Sequence, residues 1–327
     1  MKTLIVTAKK VKEILTPALA CKTVERAFRA HGLGEADMPP KSYLIFPEGD
    51  LRSMPAYLHG QGFDMAGIKS VNVHTGNAEK GLPTVMALVV LVDPGTGFPL
   101  AVMDGTVLTS LRTGAAGAVA AKFLSREDAA VAGFVGCGVQ ARTQLACLLK
   151  VRRIEKIRVW RYLPGDSLAP RFCRWARRAH GLDAVMSEDI DAVTEGADIV
   201  VTTTPTRQPL VRSVSPGTHI NAIGADAAGK QEIFTSLLKR AKIVIDDWTQ
   251  ASHSGEINIP VSRGDLAEKD VYGTLGEIVA GRKRGRRSRR EITLFDSTGL
   301  AVQDVSCAEV VFRALKEKDK VRGVRFF

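Results

Sequence analysis

Through the middle of the chain, short apolar runs alternate with longer mixed stretches. Ile157–Trp160, Asp198–Thr203, His219–Ile223 and Lys242–Asp246 read as strands, and Ser167–His180 reads as a helix. Alternation of this kind predicts an α/β unit with a parallel, doubly wound sheet. The carboxyl ends of such strands face the crevice where ligands of these sheets bind, which draws attention to Thr203, Asn221, Ala222, Ile223 and Gly224.

One turn in this region carries chemistry. The apolar run Ala129–Val135 ends in Gly136-Cys-Gly138-Val-Gln-Ala141 and passes into a helix predicted over Gln140–Leu149. Gly136 permits a tight turn, Gly138 lets backbone approach a pyrophosphate, and Ala141 allows close helix packing. The unpaired N–H groups of the helix start would then face the phosphates. An isolated glycine pattern is weak evidence; its place in a βα series makes it a Rossmann dinucleotide-binding turn.

The pattern changes near residue 113. Upstream lie a helix over Ala18–His31, strands near Lys41–Phe46 and Asp64–Val73, and two apolar strands, Thr84–Asp93 and Pro99–Asp104. The Pro-Gly turn at 93–97 predicts that these last two form an antiparallel hairpin. This half is therefore α+β. An Ala/Gly-rich helix, Leu108–Phe123, leads into the Rossmann part, and a final helix over Gln303–Leu315 returns to the first part. The expected domains are 1–113 with 301–327, and 114–300 as an insertion.

Composition narrows the field without deciding it. The 327 residues are 45% hydrophobic, ample for packed cores in about two domains. No apolar run reaches the length of a membrane span and the start has no signal-peptide pattern, so a cytoplasmic location is expected. Five scattered cysteines indicate neither a disulfide framework nor a metal site; all are expected to be buried small residues. A net charge of +11 raises the question of nucleic acid, but its densest segment, 281–290, has seven basic residues in ten and no interleaved aromatics. It is expected to be a solvated loop, with no specific nucleic-acid partner.

Candidate chemistry comes from cations in the first half: Lys41, Arg52, Lys69 and Arg112. Arginine suits bidentate carboxylate recognition, and a lysine in an apolar site can act as an acid or base. For Lys41 and Arg52 a surface salt bridge is an equal alternative. Lys69 interrupts an apolar strand, between Ile68 and Val71, and must find a partner or a reason there.

Met38-Pro-Pro-Lys41, Gly67-Ile-Lys69-Ser-Val-Asn72, Gly81-Leu-Pro-Thr84, Leu108-Thr-Ser-Leu-Arg112, Gly136-Cys-Gly138, Asn221–Asp226 with Gly229-Lys230-Gln-Glu232, Gly255-Glu-Ile-Asn258 and Phe295–Asp304 together resemble the ornithine cyclodeaminase/μ-crystallin family, nearly end to end. Within it the chain is similar to the archaeal-type alanine dehydrogenases. The resemblance implies a homodimer whose first domain binds substrate and mediates pairing. It makes Lys69 the proton donor and acceptor, and Asp226 the group that activates water or holds the amine. Lys41, Arg52 and Arg112 would bracket the substrate carboxylate and the cofactor. Thr84, Val139, Gln140, Thr203, Asn221–Gly224, Lys230 and Ser297 match positions lining the cofactor.

The implied reaction is reversible oxidative deamination of L-alanine to pyruvate. Ornithine cyclodeaminase, ketimine reductase and a non-catalytic ligand-binding protein are the alternatives. Against the cyclodeaminase, Arg52 stands where those enzymes carry a glutamate for the distal ammonium. The cofactor is NAD or NADP: the resemblance suggests NAD, whereas Arg161, at the end of the second Rossmann strand where NAD binding calls for an acid, suggests NADP. No metal is expected.

Overall fold

The computed structural model describes residues 1–163, 165–316 and 322–327. The chain divides into two compact units, Met1–Arg112 with Leu300–Phe327, and Thr113–Gly299. The boundary falls within one helix, Thr106–Leu124.

The first unit is built on one sheet. Its strands are β1 (Thr3–Val6), β2 (Ala36–Asp37), β3 (Ser42–Phe46), β4 (Gly49–Leu58), β5 (Met65–Val73), β6 (Val85–Val92) and β7 (Pro99–Asp104), with Gly323–Val324 on the β1 edge. The order runs Gly323–Val324, β1, β7, β6, β5, β4, β2, and β3 also pairs with β4. Strands β4 to β7 form an antiparallel meander that includes the expected β6–β7 hairpin. Strand β4 has no counterpart in the sequence reading, because Asp50, Arg52 and Pro55 mask its alternation. Its buried positions are Arg52, Met54, Ala56 and Leu58, a strict period of two. Pro55 lies in the gap between the β3 pairing and the β2 pairing, where a missing N–H is tolerated.

Two helices cover one face of this sheet. Pro17–Leu33 begins with Thr16 accepting from the Leu19 N–H and ends at Gly34 in the left-handed region. Ala301–Lys316 packs on it and on β4, β5 and β6. The approach is close at Gly67, where an added Cβ would lie 3.3 Å from Val305 Cγ2.

The second unit holds β8 (Val131–Val135), β9 (Lys156–Trp160), β10 (Asp183–Ser187), β11 (Ile199–Thr202), β12 (His219–Ala222), β13 (Lys242–Ile245), β14 (Val271–Thr274) and β15 (Thr293–Asp296). All pair in parallel, in the order β10-β9-β8-β11-β12-β15-β13-β14. This is the doubly wound Rossmann-type sheet the alternation predicted, inserted in sequence between the two parts of the α+β unit. Both faces are packed: Phe134, Ile199 and Val201 belong to one apolar cluster, Val135, Val200 and Ile220 to the other. Burial on both sides explains why the strands read as continuous apolar runs. The strand order reverses between β8 and β11, and the glycine turn follows β8.

The basic segment is folded back rather than simply solvated. Arg286 donates through Nε to the Leu124 carbonyl (2.7 Å) and through Nη2 to Thr293 Oγ1 (3.1 Å). Arg287 reaches the Tyr272 hydroxyl at 2.9 Å, and Arg289 pairs with Asp128 at 2.5 Å. These arginines staple the segment to its own unit. Four cysteines are buried as expected, but Cys137, in the glycine turn at the sheet edge, is only partly so. No helix among the described residues is long and apolar enough to cross a membrane.

Candidate active site

In the first unit the pairing register sets Lys69 in a row with Met54, Val89 and Met103, all on the covered face. Lys69 is 1% exposed whereas its neighbour Ile68 is 36% exposed, so the strand turns its cation inward and its isoleucine outward. A buried ammonium needs a counter-charge. Asp304, on the C-terminal helix, supplies it: Oδ2 lies 2.8 Å from Lys69 Nζ. The other oxygen accepts from Arg112 Nε at 2.9 Å, and Arg112 Nη1 donates to Gln303 Oε1 at 3.0 Å.

Two cations therefore share one carboxylate in a dry site. Burial first, then the Arg112 charge, push the Lys69 pKa down to about 7; Asp304 opposes them and Lys41 adds to them. When Lys69 is neutral the array has no net charge, and when it is protonated the array carries one positive charge in excess. A carboxylate ligand would balance that excess.

The structure thus gathers Lys69 and Arg112 around Asp304, with Lys41 near enough for its charge to be felt. Arg52 is buried and held by Asp50, Nε to Oδ1 at 3.0 Å and Nη2 to Oδ2 at 2.9 Å, with its guanidinium over the Tyr43 ring. Both Asp50 oxygens are engaged in this bidentate pair. Thr84 stands exposed just before β6, its carbonyl accepting from the His74 N–H at 2.9 Å. Sequence reasoning missed Asp304. It lies in the quoted motif Phe295–Asp304, but its pairing with Lys69 depends on how a distant helix packs on β5.

In the second unit the glycine turn follows β8. Gly136 has φ +108°, and an added Cβ would sit 2.6 Å from Thr203 Oγ1. A Cβ at Gly138 would meet nothing within 4 Å. The helix Val139–Leu148 starts there with no side-chain cap, and Val139 is 70% exposed. Gln140 lies in its first turn. Open space before uncapped N–H groups is what an anion at a helix start requires.

Around this edge, Thr203 Oγ1 and Ser297 Oγ are buried with no hydrogen-bond partner among the described residues. The backbone ties the same edge together: Thr203 N–H to Val135 carbonyl (2.9 Å), Ile223 N–H to Thr202 carbonyl (3.0 Å), and Ser297 N–H to Ala222 carbonyl (3.1 Å). Asn221 Nδ2 donates to the Gly117 carbonyl at 3.0 Å, and its Oδ1 lies 2.9 Å from His219 Nε2. Orphaned hydroxyls, a glycine opening and a free helix start fit a dinucleotide.

Asp226 follows β12 and pairs with Lys230 at 2.6 Å; the Lys230 carbonyl accepts from Asn258 Nδ2 at 2.7 Å. Arg161, at the end of β9, lies 3.7 Å from Glu188 beyond β10, and its Nε is buried without a partner among the described residues. Glu188 brings to this edge the acid that the sequence reading found absent there.

Comparison with known proteins gives the following similarities. An alanine dehydrogenase of Archaeoglobus fulgidus is 50% identical, the match covering 100% of this chain and 99% of that one. An archaeal alanine dehydrogenase dimer with bound NAD superposes with a TM-score of 0.95 at 50% identity, covering 100% of both chains. A Thermococcus litoralis Δ1-pyrroline-2-carboxylate reductase, in complex with NADH and L-proline, gives 0.94 at 35% identity, covering 98% of this chain and 100% of that one. The family model described as the ornithine cyclodeaminase/mu-crystallin family matches residues 1–319. On that match and these full-length similarities, the chain belongs to the ornithine cyclodeaminase/mu-crystallin family.

Proposed function

We propose that this chain is an NAD(P)-dependent amino-acid dehydrogenase that interconverts L-alanine and water with pyruvate and ammonia. The observation that carries the reading is the Lys69–Asp304–Arg112 array: a buried lysine poised near neutrality in a site short of one negative charge. The similarity to alanine dehydrogenases over the whole chain supports it.

The nicotinamide dinucleotide, when bound, accepts the hydride from the substrate Cα. Gly136, Gly138, Val139, Gln140, Thr203, Asn221–Gly224 and Ser297 are the residues that would hold it, with Thr84, Arg112, Arg161 and Lys230 completing the set. Lys41, Arg52 and Arg112 offer cationic recognition to the substrate carboxylate. Neutral Lys69 removes a proton as the amine is oxidised, and its ammonium returns one in the opposite direction. Asp226 is assigned to orienting the water that hydrolyses the imine. Arg52 occupies both Asp50 oxygens, so a diamino acid finds no free carboxylate there for a distal ammonium. A monoamino acid suits this site better.

We further propose a homodimer formed through the uncovered face of the first sheet. Leu88 is 55% exposed there, beside Ile68 and Met86, and Leu44 on β3, in register with Leu51 and Met86, is 57% exposed. A cavity of about 460 Å³, lined by Ser70, Asn72, Met86 and Leu88 among others, opens on this face. Apolar surface of this kind is what a second copy would cover. The five free cysteines accord with a reducing, cytoplasmic location.

Absorbance of reduced nicotinamide, with NAD and NADP each offered with L-alanine or L-ornithine, tests the reading. Growth with alanine is expected. Ammonia release from ornithine without net reduction would make the chain a cyclodeaminase, and dinucleotide binding without turnover of any substrate would make it a binding protein.

A further inference from the structure

Two fully buried glutamates of the second unit have no part in the chemistry above. The Glu232 carboxylate receives four donors, two on each oxygen. Oε2 accepts from Thr202 Oγ1 (2.6 Å) and the Gly224 N–H (2.8 Å); Oε1 accepts from the Thr204 N–H (2.6 Å) and Thr204 Oγ1 (2.7 Å). Thr202 ends β11, Thr204 follows it, and Gly224 follows β12. One side chain thus ties together two adjacent strand ends at the edge that carries Thr203 and Ala222–Gly224.

Glu232 is itself fixed. Its N–H and that of Ile233 donate to Glu256 Oε1, at 2.9 and 2.6 Å. Burial pushes both carboxyls up. The four donors pull Glu232 back, whereas the charges of Glu232 and Asp296 drive Glu256 further. Charge-assisted hydrogen bonds to an anion with every acceptor position filled make a stiff joint. Its effect reaches the glycine turn, because Thr203 lies between the two clamped threonines and abuts Gly136.

We propose that Glu232, braced by Glu256, is a positioning residue for dinucleotide binding: it holds the ends of β11 and β12 so that Thr203 and Ala222–Gly224 are set before the cofactor arrives. The inference rests on the reading that this unit binds a nicotinamide dinucleotide, and it deepens that reading. Preorganisation of this kind acts on cofactor affinity, because ordering the edge on binding would otherwise be charged against it.

The variant Glu232→Gln isolates the effect. Either orientation of the amide presents its NH2 to two donors, and in both cases one is a backbone N–H that cannot turn away. NADH affinity, measured by fluorescence titration without substrate, is expected to weaken about tenfold, the cost of one unsatisfied buried N–H. The rate constant with alanine at saturating dinucleotide should hold. Thr204→Val should weaken NADH binding in the same sense and Thr204→Ser should restore it, which decides the matter if Glu232→Gln does not fold. Unchanged NADH affinity in folded Glu232→Gln or in Thr204→Val would overturn the proposal. Wild-type protein that binds NADH but ignores alanine would overturn the alanine assignment and leave this inference intact; wild-type protein that binds no dinucleotide would overturn both.

Discussion

Lys69 illustrates what a single residue can and cannot disclose. Its place in an apolar strand marked it as needing a reason, and the structure turns it into the covered face. Asp304 was illegible as its partner, because a helix from the far end of the chain brings it there. Removing the lysine, Lys69→Ala, should cost turnover by about 10² to 10⁴ while NADH still binds, as expected for loss of a general acid–base group. Asp304→Asn makes a sharper prediction. The anion raises the proton affinity of Lys69, so its loss should move the acid limb of the kcat/KM profile to lower pH. An unmoved limb in an active Asp304→Asn enzyme would remove Asp304 from the account.

At the scale of elements, the βα alternation, the β6–β7 hairpin and the glycine turn were legible because their apolar periods are clean and both sheet faces in the Rossmann unit are buried. The edge strands β10 and β14, mostly exposed or half-buried and so without a continuous apolar run, were not, nor was β1, and β4 was hidden by its charges and proline. The two glycines of the turn should now behave differently. Gly136→Ala forces a side chain into φ +108° against Thr203 and should destabilise the fold as well as the cofactor site. A Cβ at Gly138 meets only open space, so Gly138→Ala should keep its thermal midpoint and lose NADH affinity. Equal affinity in Gly138→Ala would show that the phosphates lie elsewhere.

Strand β12 carries a second device. Burial, and secondarily the Arg286 charge, lower the His219 pKa from 6.5 to about 3. The neutral ring donates from Nε2 to Asn221 Oδ1, and its Nδ1 lies 3.0 Å from Thr293 Oγ1. Between these pKa values the unfolded chain binds the extra proton, so stability rises with pH across that window. The contribution is complete above 6.5 and is lost as pH falls toward 3, by an amount of order 5 kcal/mol. The raised carboxyls Glu232 and Glu256 act in the opposite sense. Denaturant titrations of wild type and His219→Gln at a series of pH values therefore give the contribution as their difference; parallel curves would contradict it.

For the whole molecule, the sequence pattern gave the insertion of one unit within the other, and the apolar outer face of the first sheet became visible only with the strand register. Alternation in β5 and β6 could not say which face the helices cover. If a second copy covers the other, sedimentation should give a dimer, and Leu88→Lys should shift it toward monomer. A wild-type monomer at micromolar concentration would exclude that arrangement.

Lys69 is proposed as the acid–base group of an amino-acid dehydrogenase. The pH dependence of kcat/KM for L-alanine oxidation, followed by reduced nicotinamide, tests it most directly. The rate should rise with pH through an apparent pKa of about 7, because the neutral amine is the base, with no such rise in Lys69→Arg, whose guanidinium stays charged. An enzyme whose rate rises through the same pKa after Lys69 is replaced would contradict it.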